Sequence, residues 1–249
     1  YDRKGQLEWE AFNAGNDVLC FSENVAEGIQ EILKNATPER IESSWNRLWK
    51  CKQKAGILEL KTDDWGILDF DKTSALNQKI AQNCITKIKD SHNSLLVFEA
   101  KNKKKLAKLS LYKNKENVFF KSLSSSLPST EFELEAGDKN AIRELEKNLF
   151  NYDTLIISLF VPKSKPLNNF DIEDSVLSLL GDLFLSKKCV LYIFGNPYAL
   201  QIIPNLEAAS GIIQMYQDFP EFQESAAHQL LKNTECKGTL PVMVSGINT

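Results

Sequence analysis

Six short apolar runs alternating with helical patterns restrict the fold of this chain more than any other feature. The runs lie at residues 85–88, 106–111, 132–134, 155–160, 190–194 and 212–216. Between most of them, apolar residues recur at helical spacing, over 118–127, 141–150, 172–185 and 222–231. Joining a strand to a parallel neighbour takes a connection of a dozen or more residues, usually a helix, and the crossover is right-handed. The later runs are nearly continuous, as in Leu155-Ile156-Ile157-Ser158-Leu159-Phe160, which is the pattern of strands covered on both faces. The expected fold class is α/β, a mostly parallel sheet with helices on both faces. Residues 77–249 are expected to form this three-layer α/β/α sandwich.

The first 76 residues read differently. Ala14-Gly15-Asn16-Asp17 is a small-residue turn leading into an apolar stretch, Val18-Leu19-Cys20-Phe21, expected to be a strand. A helix should follow, with Val25, Ile29, Ile32 and Leu33 on one face. A lone β/α unit cannot bury its own strand, so residues 1–35 are expected to be the remnant of a β/α barrel or layered sheet. A strand of this kind should not stay bare. It should pair with another barrel piece or a neighbouring copy, or lie on its own linker helix near Trp45 and Trp49. That helix starts at Thr37 as N-cap and Pro38 as first residue, carries Ile41, Trp45, Leu48, Trp49 and the stem of Lys52, and stops at Gly56. Residues 58–73 are acidic and irregular, so 36–76 read as a helical and extended linker. A short helix is expected at 77–81.

Several chemistries lack the residues they need. The net charge of −3 and pI near 5.6 give no general attraction to nucleic acid, and the lysine run at 101–105 is too short and lacks interleaved aromatics. No apolar run approaches the ~20 residues of a membrane-spanning helix. The five cysteines, Cys20, Cys51, Cys84, Cys189 and Cys236, are dispersed without C-x-x-C spacing. They read as buried reduced thiols rather than a disulfide framework or a zinc site. His92 and His228 have no second histidine at ligand spacing, so neither metal nor cofactor is expected. Ser110-Leu111-Tyr112-Lys113 fits S-x-x-K, but its serine ends an apolar run instead of opening a helix. Nucleotide-binding glycine motifs and the G-x-S-x-G elbow do not occur.

The string Ala14-Gly15-Asn16-Asp17-Val18-Leu19, with Tyr1 and Gly5 upstream, resembles the last β/α unit of the barrel in glycoside hydrolase family 3, most closely its β-N-acetylhexosaminidase branch. Further segments are similar to the family in the family's own order. They are Asn77-Gln78-Lys79-Ile80-Ala81-Gln82-Asn83-Cys84-Ile85-Thr86, Tyr152-Asp153-Thr154-Leu155-Ile156-Ile157, Phe194-Gly195-Asn196-Pro197-Tyr198, Tyr216-Gln217-Asp218 and Lys237-Gly238-Thr239-Leu240-Pro241-Val242. The resemblance implies a C-terminal fragment, the end of a barrel plus the family's C-terminal sandwich. The implied partner is an N-terminal β/α barrel of the same parent protein. The parent's substrate would be a carbohydrate and its location the periplasm or cell envelope.

Enzymes of this branch hold their chemistry on the barrel. An aspartate in a T-D-A-L-like or S-D-A-L-like motif is the nucleophile, and a histidine in a K-H-F-P-G-H-like loop assists as acid/base. Neither motif is present; Thr73-Ser74-Ala75-Leu76 has serine where the carboxylate must stand. No catalytic residue carries over, and a mainly structural role is implied. Ser22 and Glu23 follow the expected strand at its carboxyl end, where barrel sites are built, and are the substrate-adjacent candidates. The same pair also fits a helix cap with an early acidic residue. In the sandwich, Gly195 and Asn196 end the run at 190–194 and could line a ligand crevice; they could equally turn a strand into a helix. A stand-alone module binding a small ligand near Gly195 is the alternative.

Overall fold

A computed structural model of the protein describes residues 2–57, 69–91, 105–112, 116–135 and 137–245. Packing divides the chain into two units, Tyr1–Leu68 and Asp69–Thr249.

The larger unit holds a six-stranded sheet: β1 (Thr86–Asp90), β2 (Leu106–Leu111), β3 (Thr130–Leu134), β4 (Thr154–Phe160), β5 (Lys188–Phe194) and β6 (Gly211–Gln214). Their order across the sheet is β1-β6-β5-β4-β2-β3. Only β1 runs antiparallel, against β6, with a bulge between Lys87 and Lys89. The other four pairings are parallel. Strand β4 lies between β2 and β5, its seven residues in register with β5 from Thr154 opposite Lys188 to Phe160 opposite Phe194. The continuous apolar runs are thus the central strands, as their composition requires.

Successive side chains point to opposite faces, so each central strand feeds two cores. On one face Leu109, Ile157 and Leu191 pack against α6 (Lys139–Leu149) and α7 (Asp174–Ser186). On the other, Ile156, Tyr192 and Ile213 pack against α4 (Phe70–Cys84), α5 (Val118–Ser124) and α8 (Pro220–Lys232). The polar groups buried on that second face are paired. Lys108 Nζ meets Glu131 Oε1 at 2.6 Å and Ser124 Oγ at 2.9 Å. Asn117 caps α5 by accepting the Phe120 N–H, and its amide donates to Ser110 and Ser158. The sandwich is the fold expected from the alternation of runs.

The smaller unit has α1 (Gln6–Asn13), α2 (Val25–Asn35) and α3 (Pro38–Lys54). Thr37 caps α3, its hydroxyl accepting the Arg40 N–H, with Pro38 at the first position. Helix α1 has no counterpart in the sequence reading, because its Gln-Leu-Glu-Trp-Glu-Ala-Phe-Asn stretch shows little amphipathic periodicity. Helix α4 is three times the short helix expected at 77–81: Asp69 caps it by accepting the Lys72 N–H. Residues 18–21 correct the expectation more sharply. They form no strand, Val18 is 61% exposed and Phe21 fully so. Among the described residues none of the four makes a backbone hydrogen bond. A strand exists only through its ladder, and this unit contains no second strand among its described residues. The acidic stretch at 58–68 and the lysines at 101–104 lie outside the described residues.

Two outcomes follow for the sandwich. Residues 69–249, expressed alone, should unfold in one cooperative thermal transition, because both cores are internal to that unit; calorimetry without a transition would contradict this. Ile157→Ala, at a fully buried site in the central strand, should cost about 2–5 kcal/mol through the cavity it leaves, read from denaturant unfolding.

Candidate functional site

In the smaller unit the turn at residues 14–17 is fastened to α3 by charge. Asp17 takes a two-pronged contact from Arg47, Nε to Oδ2 at 2.5 Å and Nη2 to Oδ1 at 2.6 Å. Ser44 Oγ donates to Oδ1 at 2.8 Å and Arg40 Nη1 at 3.2 Å. Arg40 also donates to the Phe12 carbonyl at 2.8 Å and lies 4.2 Å over the Phe12 ring. A planar guanidinium suits such a paired contact. The Arg47 contact, with help from Ser44 and Arg40, holds the Asp17 carboxyl far below the usual carboxylate range. The aspartate of the A-G-N-D string is therefore a brace between turn and helix. Sequence spacing gave no sign of it, since Arg40, Ser44 and Arg47 lie on a helix read for its caps and its apolar stripe. Trp45 and Trp49 do stack on each other, ring centres 5.6 Å apart, and both are exposed.

Ser22 and Glu23 follow the irregular stretch, Ser22 half-buried and Glu23 exposed. The capping reading of Ser22 is corrected: Asn24 is the residue that precedes α2, without a side-chain cap bond. The Ser22 hydroxyl instead donates to Glu8 Oε1 at 2.8 Å, and the Asn24 N–H reaches the same oxygen at 3.3 Å. Glu8 was invisible to sequence reasoning because it sits on the unrecognised helix α1.

In the larger unit Gly195 and Asn196 do end β5, at the carboxyl edge of the sheet. Both polar atoms of the Asn196 amide are occupied. Its Oδ1 accepts the Tyr198 N–H at 2.9 Å, capping a 3-10 turn at Pro197–Ile202, and its Nδ2 donates to the Ser164 carbonyl at 2.8 Å. Gly195 has φ +143°, and a Cβ there would lie 2.6 Å from the Cβ of Val161. Its bareness serves the packing of β5 against the chain leaving β4. Beneath it, buried Gln214 donates Nε2 to the Gly195 carbonyl at 2.8 Å.

The remaining candidates are dispersed. Ser74 lies exposed on α4, and Ser110 is buried inside β2 with Asn117 as its partner. His228 is exposed on α8, and His92 lies outside the described residues. All five cysteines are free, but only Cys189 is buried, its thiol pushed up to about 12 by desolvation. Cys20 and Cys51 are exposed, which corrects the reading of uniformly buried thiols; their helix and turn lack a core on that side. Among the described residues there is no cluster of three or more His, Cys, Asp or Glu able to hold a metal ion, and no helix long and apolar enough to cross a membrane.

No protein-family model and no curated protein matches this sequence. Solved structures do match its fold. A glycoside hydrolase family 3 β-N-acetylglucosaminidase from Paenibacillus sp. str. FPU-7 superposes with a TM-score of 0.72 at 14% identity, over 97% of this chain and 48% of its own. The β-glucoside phosphorylase BglX gives 0.68 at 18% identity, over 95% and 45%. A fungal multi-domain family 3 β-N-acetylglucosaminidase with a GCN5-related glucosamine N-acetyltransferase region gives 0.65 at 17%, over 98% and 29%. The chain has the fold of this part of family 3 enzymes and spans less than half the length of each.

Two substitutions test the geometry. Asp17 has a depressed folded-state pKa, so its contribution is complete above the ordinary aspartate value of ~3.9. That contribution declines as pH falls below it and is gone once pH has passed through the lower folded-state value. Asp17→Asn should therefore lower the stability of residues 2–57 above pH 5 and reduce the acid dependence of that unit's unfolding, leaving the part due to Glu8, read by tryptophan fluorescence. An unchanged acid profile would contradict the brace. Gly195→Ala should cost about 1–3 kcal/mol, the usual price of overpacking, in thermal unfolding of the larger unit.

Proposed function

We propose that this chain is the C-terminal, largely structural part of a glycoside hydrolase family 3 enzyme of the β-N-acetylglucosaminidase type. In this reading residues 1–35 complete a β/α barrel that carries the catalytic groups, residues 36–76 link it onward, and residues 77–249 form a sandwich that supports the barrel. Ser22 and Glu23 stand beside the sugar, at the carboxyl end of the last barrel strand. The partner is the barrel of the same parent protein, and the reaction is hydrolysis of a glycosidic bond to N-acetylglucosamine.

The observation that carries the reading is the superposition on the Paenibacillus β-N-acetylglucosaminidase over 97% of this chain and 48% of that one. The stretch at residues 18–21 does not add to this support: it was expected to be paired or covered and is instead exposed and unpaired, so the barrel reading of residues 1–35 rests on the superposition and requires strand neighbours from the parent. The small-ligand alternative at Gly195 has less behind it, because the Asn196 amide is already spent on the chain's own backbone.

Retaining hydrolysis needs a nucleophile and an acid/base on either side of the bond, ~5 Å apart. In this reading both belong to the barrel, and removing such a group forfeits many orders of magnitude in rate. The purified 249-residue chain should therefore leave 4-nitrophenyl β-N-acetylglucosaminide intact, whereas the parent with its barrel should turn it over. Turnover by the isolated chain that a point substitution within it abolishes would overturn the assignment.

A further inference from the structure

Burying a carboxylate is costly unless hydrogen bonds meet its charge. Glu8 of α1 is only 5% exposed. Its Oε1 collects the Ser22 hydroxyl and the Asn24 N–H, at 2.8 and 3.3 Å, and the Ser22 bond is the main cause of its lowered pKa, while Oε2 is buried without a partner among the described residues. Helix α2 closes over the other side at Gly28, where a Cβ would sit 2.7 Å from Glu8 Cβ and 2.8 Å from Cγ. The side chain is thus wedged between a helix and a loop. The irregular stretch from Asp17 to Asn24 has no ladder to place it. Asp17 fixes its start, and Glu8 fixes its end.

We propose that Glu8 is a positioning residue that sets the Ser22 hydroxyl and the turn through Glu23 and Asn24. It also dictates what that loop can recognise. The single hydroxyl proton of Ser22 is committed to Glu8, so Ser22 Oγ meets a ligand only as an acceptor. Glu23, exposed next to it, is an acceptor as a carboxylate. Two adjacent acceptors fit a ligand edge rich in O–H or amide N–H donors, such as the hydroxyls and acetamido N–H of an N-acetylated sugar. The recognition half of this inference rests on the family 3 reading; the positioning half rests on the geometry alone.

Reach and charge separate in three variants. Glu8→Gln keeps the length and an acceptor oxygen; Glu8→Asp keeps the charge but is one methylene short; Glu8→Ala removes both. Hydrogen exchange over residues 22–28 of the chain should quicken about tenfold in Glu8→Asp and Glu8→Ala, the scale of one lost hydrogen bond, and stay near wild type in Glu8→Gln. If Glu8→Ala fails to fold, the Gln and Asp variants still decide. Exchange in Glu8→Asp equal to wild type would overturn the proposal. In the parent enzyme, Glu8→Asp should raise KM for 4-nitrophenyl β-N-acetylglucosaminide several-fold with little change in kcat, and Glu8→Gln should restore it. If Ser22→Ala and Glu23→Gln raise KM but Glu8→Asp does not, positioning by Glu8 is wrong. If none of the three changes KM, the sugar-facing reading of this loop is what fails.

Discussion

A strand buried on both faces can satisfy its backbone only through the strands beside it, and this requirement organises the chain. Strand β4 meets it fully, with β2 on one edge and β5 on the other. Both of its faces then become core, so α6 and α7 must cover one side and α4, α5 and α8 the other. The polar groups trapped in that arrangement are met locally, Lys108 by Glu131 and Ser124, and Asn117 by two strand serines. Residues 18–21 have the same apolar character and no neighbouring strand. Without a ladder they become irregular and exposed, and two carboxylates hold their ends in place of a sheet.

The sandwich was legible in the sequence because its information is local. Runs such as Leu155 to Phe160 can be read as doubly covered strands without knowing their neighbours. Edges were less clear: β1 and β3 are half-exposed and their bounds shifted by a residue or two. Helix α1 escaped because apolar Leu7 lies on its exposed side and charged Glu8 on its buried side, so residue type does not mark the buried face, and with it went Glu8. Asp17 was noticed as part of a family-like string, yet its partners Arg40, Ser44 and Arg47 are 23 to 30 residues away. One sequence carries no trace of such a pairing. For the same reason Ser22 looked like a helix cap when its proton in fact goes to a distant glutamate.

The two candidate sites part company on the same physical ground. At Gly195 and Asn196 every feature that suggested a ligand is used by the protein itself: positive φ, absent Cβ and both amide atoms. Around Ser22 and Glu23 the loop is braced, while an exposed carboxylate and exposed apolar residues remain beside it. In the proposed reading, a loop held at both ends and carrying unspent groups would be the rim's contribution to a site assembled from several strand ends. This is why the functional proposal lies in the smaller unit although most of the fold lies in the larger.

We propose that residues 18–21, irregular in this chain, become a barrel strand only beside neighbours supplied by the rest of a parent enzyme. Amide exchange of Val18 to Phe21, compared between this chain and the parent carrying its barrel, tests it most directly. Exchange should be near-unprotected in the isolated chain and slower by about a thousandfold or more in the parent, as core strands show relative to open segments. Equally fast exchange in both would contradict it.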